Sequence, residues 1–102
     1  MSDQDLLILG IDPGSRYTGY GLIKIEARKY SYVYSGRITA KGSNHFQRIY
    51  NIYSELCTII QKYKPQAAAI EEVFLGKNAN SAIKLGQARG AAIVALQPLI
   101  TN

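Results

Sequence analysis

The chain has 102 residues, of which 47% are hydrophobic and 19% charged. This length fits one small domain and not two, and the apolar content excludes disorder over the bulk of it. The net charge of +5 favours a polyanionic partner without requiring one, because phosphate neutralisation drives such binding.

The N-terminus, Met1-Ser2-Asp3-Gln4-Asp5, is acidic and lacks the basic stretch of a secretory signal. The apolar run at 6–11 is too short to cross a membrane, so the expected location is the cytoplasm, with no membrane partner. Bounded by Gly and Pro, this run reads as a central strand buried on both faces. Asp12-Pro13-Gly14-Ser15 is a turn cluster. Residues 17–25 form a second strand. Ala27-Arg28-Lys29 is the hairpin tip, without the usual Asn-Gly. Residues 30–39 form a third strand, half exposed, with Tyr30, Tyr32 and Tyr34 alternating against Ser31 and Ser35.

A helix follows. Asn44 is its N-cap, and Gln47 stands in the capping-box position. Phe46, Ile49, Tyr50, Tyr53, Leu56, Cys57, Ile60 and Tyr63 recur at helical spacing. Arg48, Glu55 and Lys62 lie on the other side, and Pro65 ends the element. Cys57 is the single cysteine and reads as a packing thiol in a reducing compartment. Ala67-Ala68-Ala69-Ile70 reads as a fourth strand. A second helix covers 80–96, with Ala82, Gly86 and Gly90 four apart. Glycine inside a helix costs about 1 kcal/mol against alanine, so two of them imply close approach of another backbone, either the sheet or a second subunit.

Short connections make the first three strands antiparallel. The helix then allows a crossover that sets strand four parallel to strand one. This is the start of a ribonuclease-H-like α/β fold, expected to occupy residues 1–102 as a single domain.

Of the seven acids, Asp3, Asp5, Glu26 and Glu55 read as solvated surface charges. Asp12, Glu71 and Glu72 each close a predicted buried strand. Adjacent parallel strands bring Asp12 and Glu71 together at the sheet's carboxyl end, where open α/β sheets bind ligands. Paired carboxylates repel each other, and a divalent cation resolves the conflict; hard oxygen donors select Mg²⁺ or Mn²⁺. Two such ions activate a water and stabilise the leaving 3′-oxygen of a phosphodiester. On spacing alone, Asp12 in Asp-Pro-Gly reads first as a turn-forming residue. Glu72 points to the opposite face from Glu71 if the strand continues.

Two blocks carry a resemblance. Leu9-Gly10-Ile11-Asp12-Pro13-Gly14-Ser15-Arg16, with Thr18-Gly19-Tyr20-Gly21, resembles the opening motif of RuvC-type Holliday junction resolvases. A similar turn also opens actin-like and sugar-kinase-like ATPases. The second block, Ala69-Ile70-Glu71-Glu72-Val73-Phe74 followed by residues 77–90, resembles the resolvase signature and decides between the two. The resemblance implies a Mg²⁺-dependent crossover junction endodeoxyribonuclease of recombination and repair. Asp12 and Glu71 then match catalytic metal ligands, and Mn²⁺ is a substitute ion. Phe74 matches an aromatic that stacks on a base at the junction centre. Lys77 and Asn78 match phosphate contacts, with Arg16, Lys84 and Arg89 as further DNA-binding candidates. It also implies a homodimer acting on four-way junction DNA, with Ala82, Gly86 and Gly90 at the dimer interface and the RuvA and RuvB branch-migration proteins as partners.

Family members continue further and carry two more carboxylates in an Asp-x-x-Asp pattern, which this chain does not contain. The chain is therefore expected to be the N-terminal portion, truncated at the C-terminus, with little nuclease activity alone and an exposed apolar sheet surface that drives self-association. Three rival readings stand beside this one. The first is a junction-binding or dimerising fragment without catalysis. The second is an actin-like fragment binding ATP at 14–21. The third is a resolvase-like nuclease of RNA processing that shares the first motif.

Overall fold

The computed structural model describes residues 5–71 and 79–99. Its elements run β1 (Leu6–Asp12), β2 (Tyr17–Glu26), β3 (Lys29–Thr39), α1 (His45–Tyr63), β4 (Ala67–Ile70) and α2 (Ala79–Ala95), closed by a short 3₁₀ turn at Gln97–Leu99. The sheet order is β3-β2-β1-β4. The first three strands are antiparallel to their neighbours, and β4 pairs parallel to β1. This is the expected mixed α/β sheet.

Side chains alternate across a strand. Leu9, Ile11, Leu22 and Ile38 share one face and bury against Ile52, Leu56, Ile59 and Ile60 of α1 and Ala88, Ala92 and Ala95 of α2. Both helices therefore cover the same face. Burying a Leu or Ile side chain fully contributes about 1.5–3 kcal/mol, and Leu9, Leu22, Ile52 and Leu56 are all fully enclosed. The opposite face carries Leu6, Ile8, Gly10 and Asp12 on β1, opposite Ile25, Ile23, Gly21 and Gly19 on β2. No described helix packs against it.

The α1 stripe is rotated from the one expected. Phe46 is 80% exposed and Tyr50 67%, while Ile52 and Ile59 are buried. The helix presents its aliphatic residues to the sheet, and its early aromatics sit on the shoulder. Asn44 caps α1 as expected, its side chain accepting from the Gln47 N–H at 2.9 Å. The reciprocal bond lands one residue earlier: Gln47 Oε1 accepts from the Ser43 N–H at 2.8 Å. Lys64 closes the helix in the left-handed conformation, just before Pro65. Cys57 is half-buried and unpaired by disulfide.

Two further departures occur in the hairpin. Ala27 (φ 50°) and Arg28 (φ 68°) both adopt positive φ, which is the two-residue primed turn made without glycine or asparagine. Leu22 pairs with Tyr34 and Ile23 with Tyr32, so Val33 is an extra residue in β3. This bulge breaks the expected Tyr/Ser alternation, since it resets which face each residue occupies. Beyond it Tyr34 turns to the helix side, where it stacks on Tyr63 at 5.8 Å and meets Tyr20 at 6.2 Å. The α2 boundaries fall within one residue of those expected.

Candidate active site

The register of β4 on β1 builds the site. Ile11 pairs with Ile70, and the Glu71 N–H donates to the Ile11 carbonyl at 3.0 Å. Glu71 therefore stands beside Asp12 on strands about 4.8 Å apart. Both side chains are exposed, and both line a cleft of about 390 Å³ with Gly10, Ile11, Gly19, Tyr20, Gly21 and Gly36. The glycines keep the floor at backbone height. Asp12 also pairs with Gly19, and Gly19 with Arg37. One row across four strands thus reads Glu71, Asp12, Gly19, Arg37, and the Arg37 guanidinium sits 4.3 Å from the Tyr17 ring centroid.

The turn after Asp12 is held from inside. Thr18 is fully buried; its Oγ1 donates to the Gly14 carbonyl at 3.0 Å and accepts from the Gly14 N–H at 3.3 Å. A Cβ at Gly14 would collide with the Tyr17 carbonyl oxygen, so glycine is required there by close approach. Tyr20 faces the helices: its hydroxyl end lies over Gly36. Burial, the neighbouring Tyr34 and Tyr63, a hydrogen bond to Tyr34 and the Glu55 charge push its pKa above the ordinary 10.0.

Asp12 and Glu71 are thus brought together as expected. Among the described residues no group of three or more His, Cys, Asp or Glu forms a metal-binding cluster. The donor set is two carboxylates, which suits a hard divalent cation. Glu72, Phe74, Lys77 and Asn78 lie outside the described residues. Arg16 and Lys84 meet in a second cleft, with Ser15, His45 and Arg48; Arg89, half-buried, is not part of its lining. Gly86 and Gly90 are not pressed against the sheet: a Cβ on either would meet nothing within 4 Å beyond α2 itself; Ala82, half-buried, lies one turn before them. Ile83, 59% exposed, and Val94, 57% exposed, extend this outward side of α2. Thr18, Arg37, His45 and Arg48 were not singled out as site residues by sequence reasoning. Arg37 carried no readable signal: an unbroken hairpin register would set Gly36 opposite Gly19, and the Val33 bulge is what brings Arg37 there.

A four-stranded mixed sheet with two helices on one face, and a carboxylate pair where β1 and β4 end, defines a ribonuclease-H-like domain. The family profile "Crossover junction endodeoxyribonuclease RuvC" matches residues 8–101. The chain belongs to the RuvC family. It is 57% identical over 89 residues to the crossover junction endodeoxyribonuclease RuvC of Shewanella frigidimarina, covering 87% of this chain and 51% of that protein. To the RuvC of Citrifermentans bemidjiense it is 52% identical over 91 residues, covering 88% and 56%. The chain thus spans about half the length of these curated relatives. Among solved structures it superposes on Thermus thermophilus RuvC in complex with a Holliday junction substrate, with TM-score 0.80 and 25% identity, covering 92% of this chain and 61% of that one. The Aquifex aeolicus PPX-GPPA enzyme matches with TM-score 0.58 at 14% identity, covering 93% and 33%; that likeness shows a shared fold alone. No described helix is long and apolar enough to cross a membrane.

Proposed function

We propose that this chain is the carboxylate-bearing part of a structure-selective endodeoxyribonuclease that resolves Holliday junctions by Mg²⁺-dependent phosphodiester hydrolysis. The observation that supports it most is the Ile11–Ile70 register, which sets Asp12 beside Glu71 above a glycine floor. Asp12 and Glu71 would hold the ion, Mg²⁺ or in its place Mn²⁺. When bound, the ion supplies an acidified water and charge neutralisation at the leaving oxygen. The chain's own residues do the rest. Thr18 and Gly14 fix the turn that carries Asp12, the β4 ladder fixes Glu71, and the glycines let a sugar–phosphate backbone approach the sheet. Two carboxylates grip one ion weakly, so low metal affinity is expected.

Further roles follow from the resemblance. Phe74 stacks on an unpaired base, Lys77 and Asn78 contact phosphate, and Arg89 adds a cation to the DNA-facing surface. The outward side of α2, with Ala82, Gly86 and Gly90, pairs with a second copy; its two-fold symmetry suits a junction with two equivalent strands. RuvA and RuvB would act on the same junction.

The test is binding of the chain to a labelled four-way junction and to linear duplex of the same sequence, in Mg²⁺ and in EDTA. Tighter binding to the junction is expected, with Mg²⁺ strengthening it. Equal affinity for the two DNAs would overturn the reading, and saturable ATP binding in calorimetry would favour a nucleotide-binding protein instead.

A further inference from the structure

The turn after β1, the start of α1 and the start of α2 meet in a cleft of about 340 Å³ lined by Ser15, Arg16, His45, Arg48 and Lys84. Three of these five are permanent cations, one is histidine, and none is acidic. Among the described residues the ion pair is Lys24 with Glu26, so no carboxylate neutralises the three. Like charges gathered from three separate elements repel, and an anion relieves that repulsion.

The cleft is also braced. His45 Nε2 donates to Gln87 Oε1 at 2.6 Å, tying the start of α1 to α2. Arg48 Nη1 donates to the Gly42 carbonyl at 3.3 Å, which holds its guanidinium against the loop before α1. Gly42 has φ 148°, and a Cβ there would press on Gln47, so that loop is set by glycine. His45 and Arg48 lie in the first turns of α1, where the helix dipole adds positive potential.

We propose that this cleft binds one phosphate of a DNA backbone, distinct from the phosphate addressed by Asp12 and Glu71. The choice of DNA among anions rests on the resolvase reading. Arg16 follows Asp12 by four residues, so their Cα atoms are at most about 14 Å apart. One strand of a duplex advances about 3.4 Å per nucleotide. Allowing for the reach of the two side chains, the cleft holds a phosphate within one turn of duplex, about 34 Å, of the carboxylates, and the contact sets where the duplex arm lies relative to them. Phosphate contacts of this kind fix position without reading sequence.

The experiment measures affinity of the chain for duplex and for four-way junction in EDTA, across a range of salt. Arg48→Gln and Lys84→Gln should each weaken binding of both DNAs several-fold near 0.1 M salt and lower the salt slope, and the double variant should lower it by up to about 0.9, the share of one phosphate. Arg48→Lys, which keeps the charge, should keep the slope. Lys62→Gln removes the same charge at the far end of α1 and should change affinity by less than about twofold, since the contact is local. In ¹⁵N spectra, inorganic phosphate should shift Arg16, His45, Arg48 and Lys84 more than Asp12 and Glu71. Unchanged affinity and slope in Arg48→Gln and Lys84→Gln would overturn the cleft, as would an equal loss in Lys62→Gln. Equal affinity for junction and duplex, with the variant effects intact, would sink the resolvase reading and leave the phosphate site standing.

Discussion

Thr18 grips Gly14 from both sides, its hydroxyl serving as donor to the carbonyl and acceptor from the N–H of one residue. A hydroxyl can play both roles at once, and here it closes the turn that presents Asp12. Thr18→Val keeps the shape and removes both bonds, leaving two backbone groups unpaired. The expected loss is about 1–3 kcal/mol in urea unfolding, with weaker divalent-ion binding, and Thr18→Ser should recover most of both. An unchanged unfolding midpoint for the valine variant would show that the turn holds without this contact.

Gly14→Ala acts on the same turn by a different route. The added methyl meets the Tyr17 carbonyl, which is backbone and cannot rotate away. The turn must open, and Asp12 shifts with it. Divalent-ion binding should fall more in Gly14→Ala than in Thr18→Val; the reverse order in calorimetry would refute the steric account.

Asp12 and Glu71 should contribute to ion binding together. Asp12→Asn and Glu71→Gln are each expected to lower Mn²⁺ affinity roughly tenfold or more, beyond the range's lower end for residues that merely support a ligand. The double variant should add little, because one remaining carboxylate already binds poorly. If Glu72→Gln abolished binding while Glu71→Gln did not, the ligand assignment would be reversed.

How far the sequence could be read differs by feature, for physical reasons. The Asp12 turn and the strand ending at Glu71 were legible because turn chemistry and short apolar runs are local signals. The crossover made β4 parallel to β1, but Asp12 meets Glu71 because the two strands are also neighbours, which only the sheet order shows. Thr18 was not legible: a threonine in a strand pattern looks the same whether it is exposed or buried against a turn. The Val33 bulge was hidden because a regular Tyr/Ser alternation says nothing of an inserted residue. The basic cleft escaped because its residues come from three segments, and only packing brings Arg16, Arg48 and Lys84 together.

Tyr20 gives a pH dependence with a definite sign. Its folded pKa lies above 10.0, chiefly through burial and then through Tyr34 and Tyr63. An unfolded phenol titrates near pH 10. Above that pH the unfolded chain has lost a proton that the folded chain retains, so stability present below pH 10 is lost as pH rises through the folded pKa. Tyr20→Phe should flatten the decline of the melting temperature above pH 10. A decline identical to that of the unmodified chain would exclude Tyr20 as its source.

The rotated face of α1 is best tested by a pair of truncations. Ile52 is fully enclosed between the sheet and the second helix's alanines, and Phe46, eighty per cent exposed, is not. Ile52→Ala deletes buried methyl groups and leaves a cavity, which costs about 2–5 kcal/mol. Phe46→Ala removes a larger side chain yet should change stability by less than about 0.5 kcal/mol, since most of its surface already meets water. The stripe read from helical spacing includes Phe46 and omits Ile52, and so predicts the larger loss for the ring. Chemical unfolding of the two variants separates these outcomes: the ordering Ile52→Ala far below Phe46→Ala follows from the aliphatic face, and the opposite ordering would place the phenylalanine in the core.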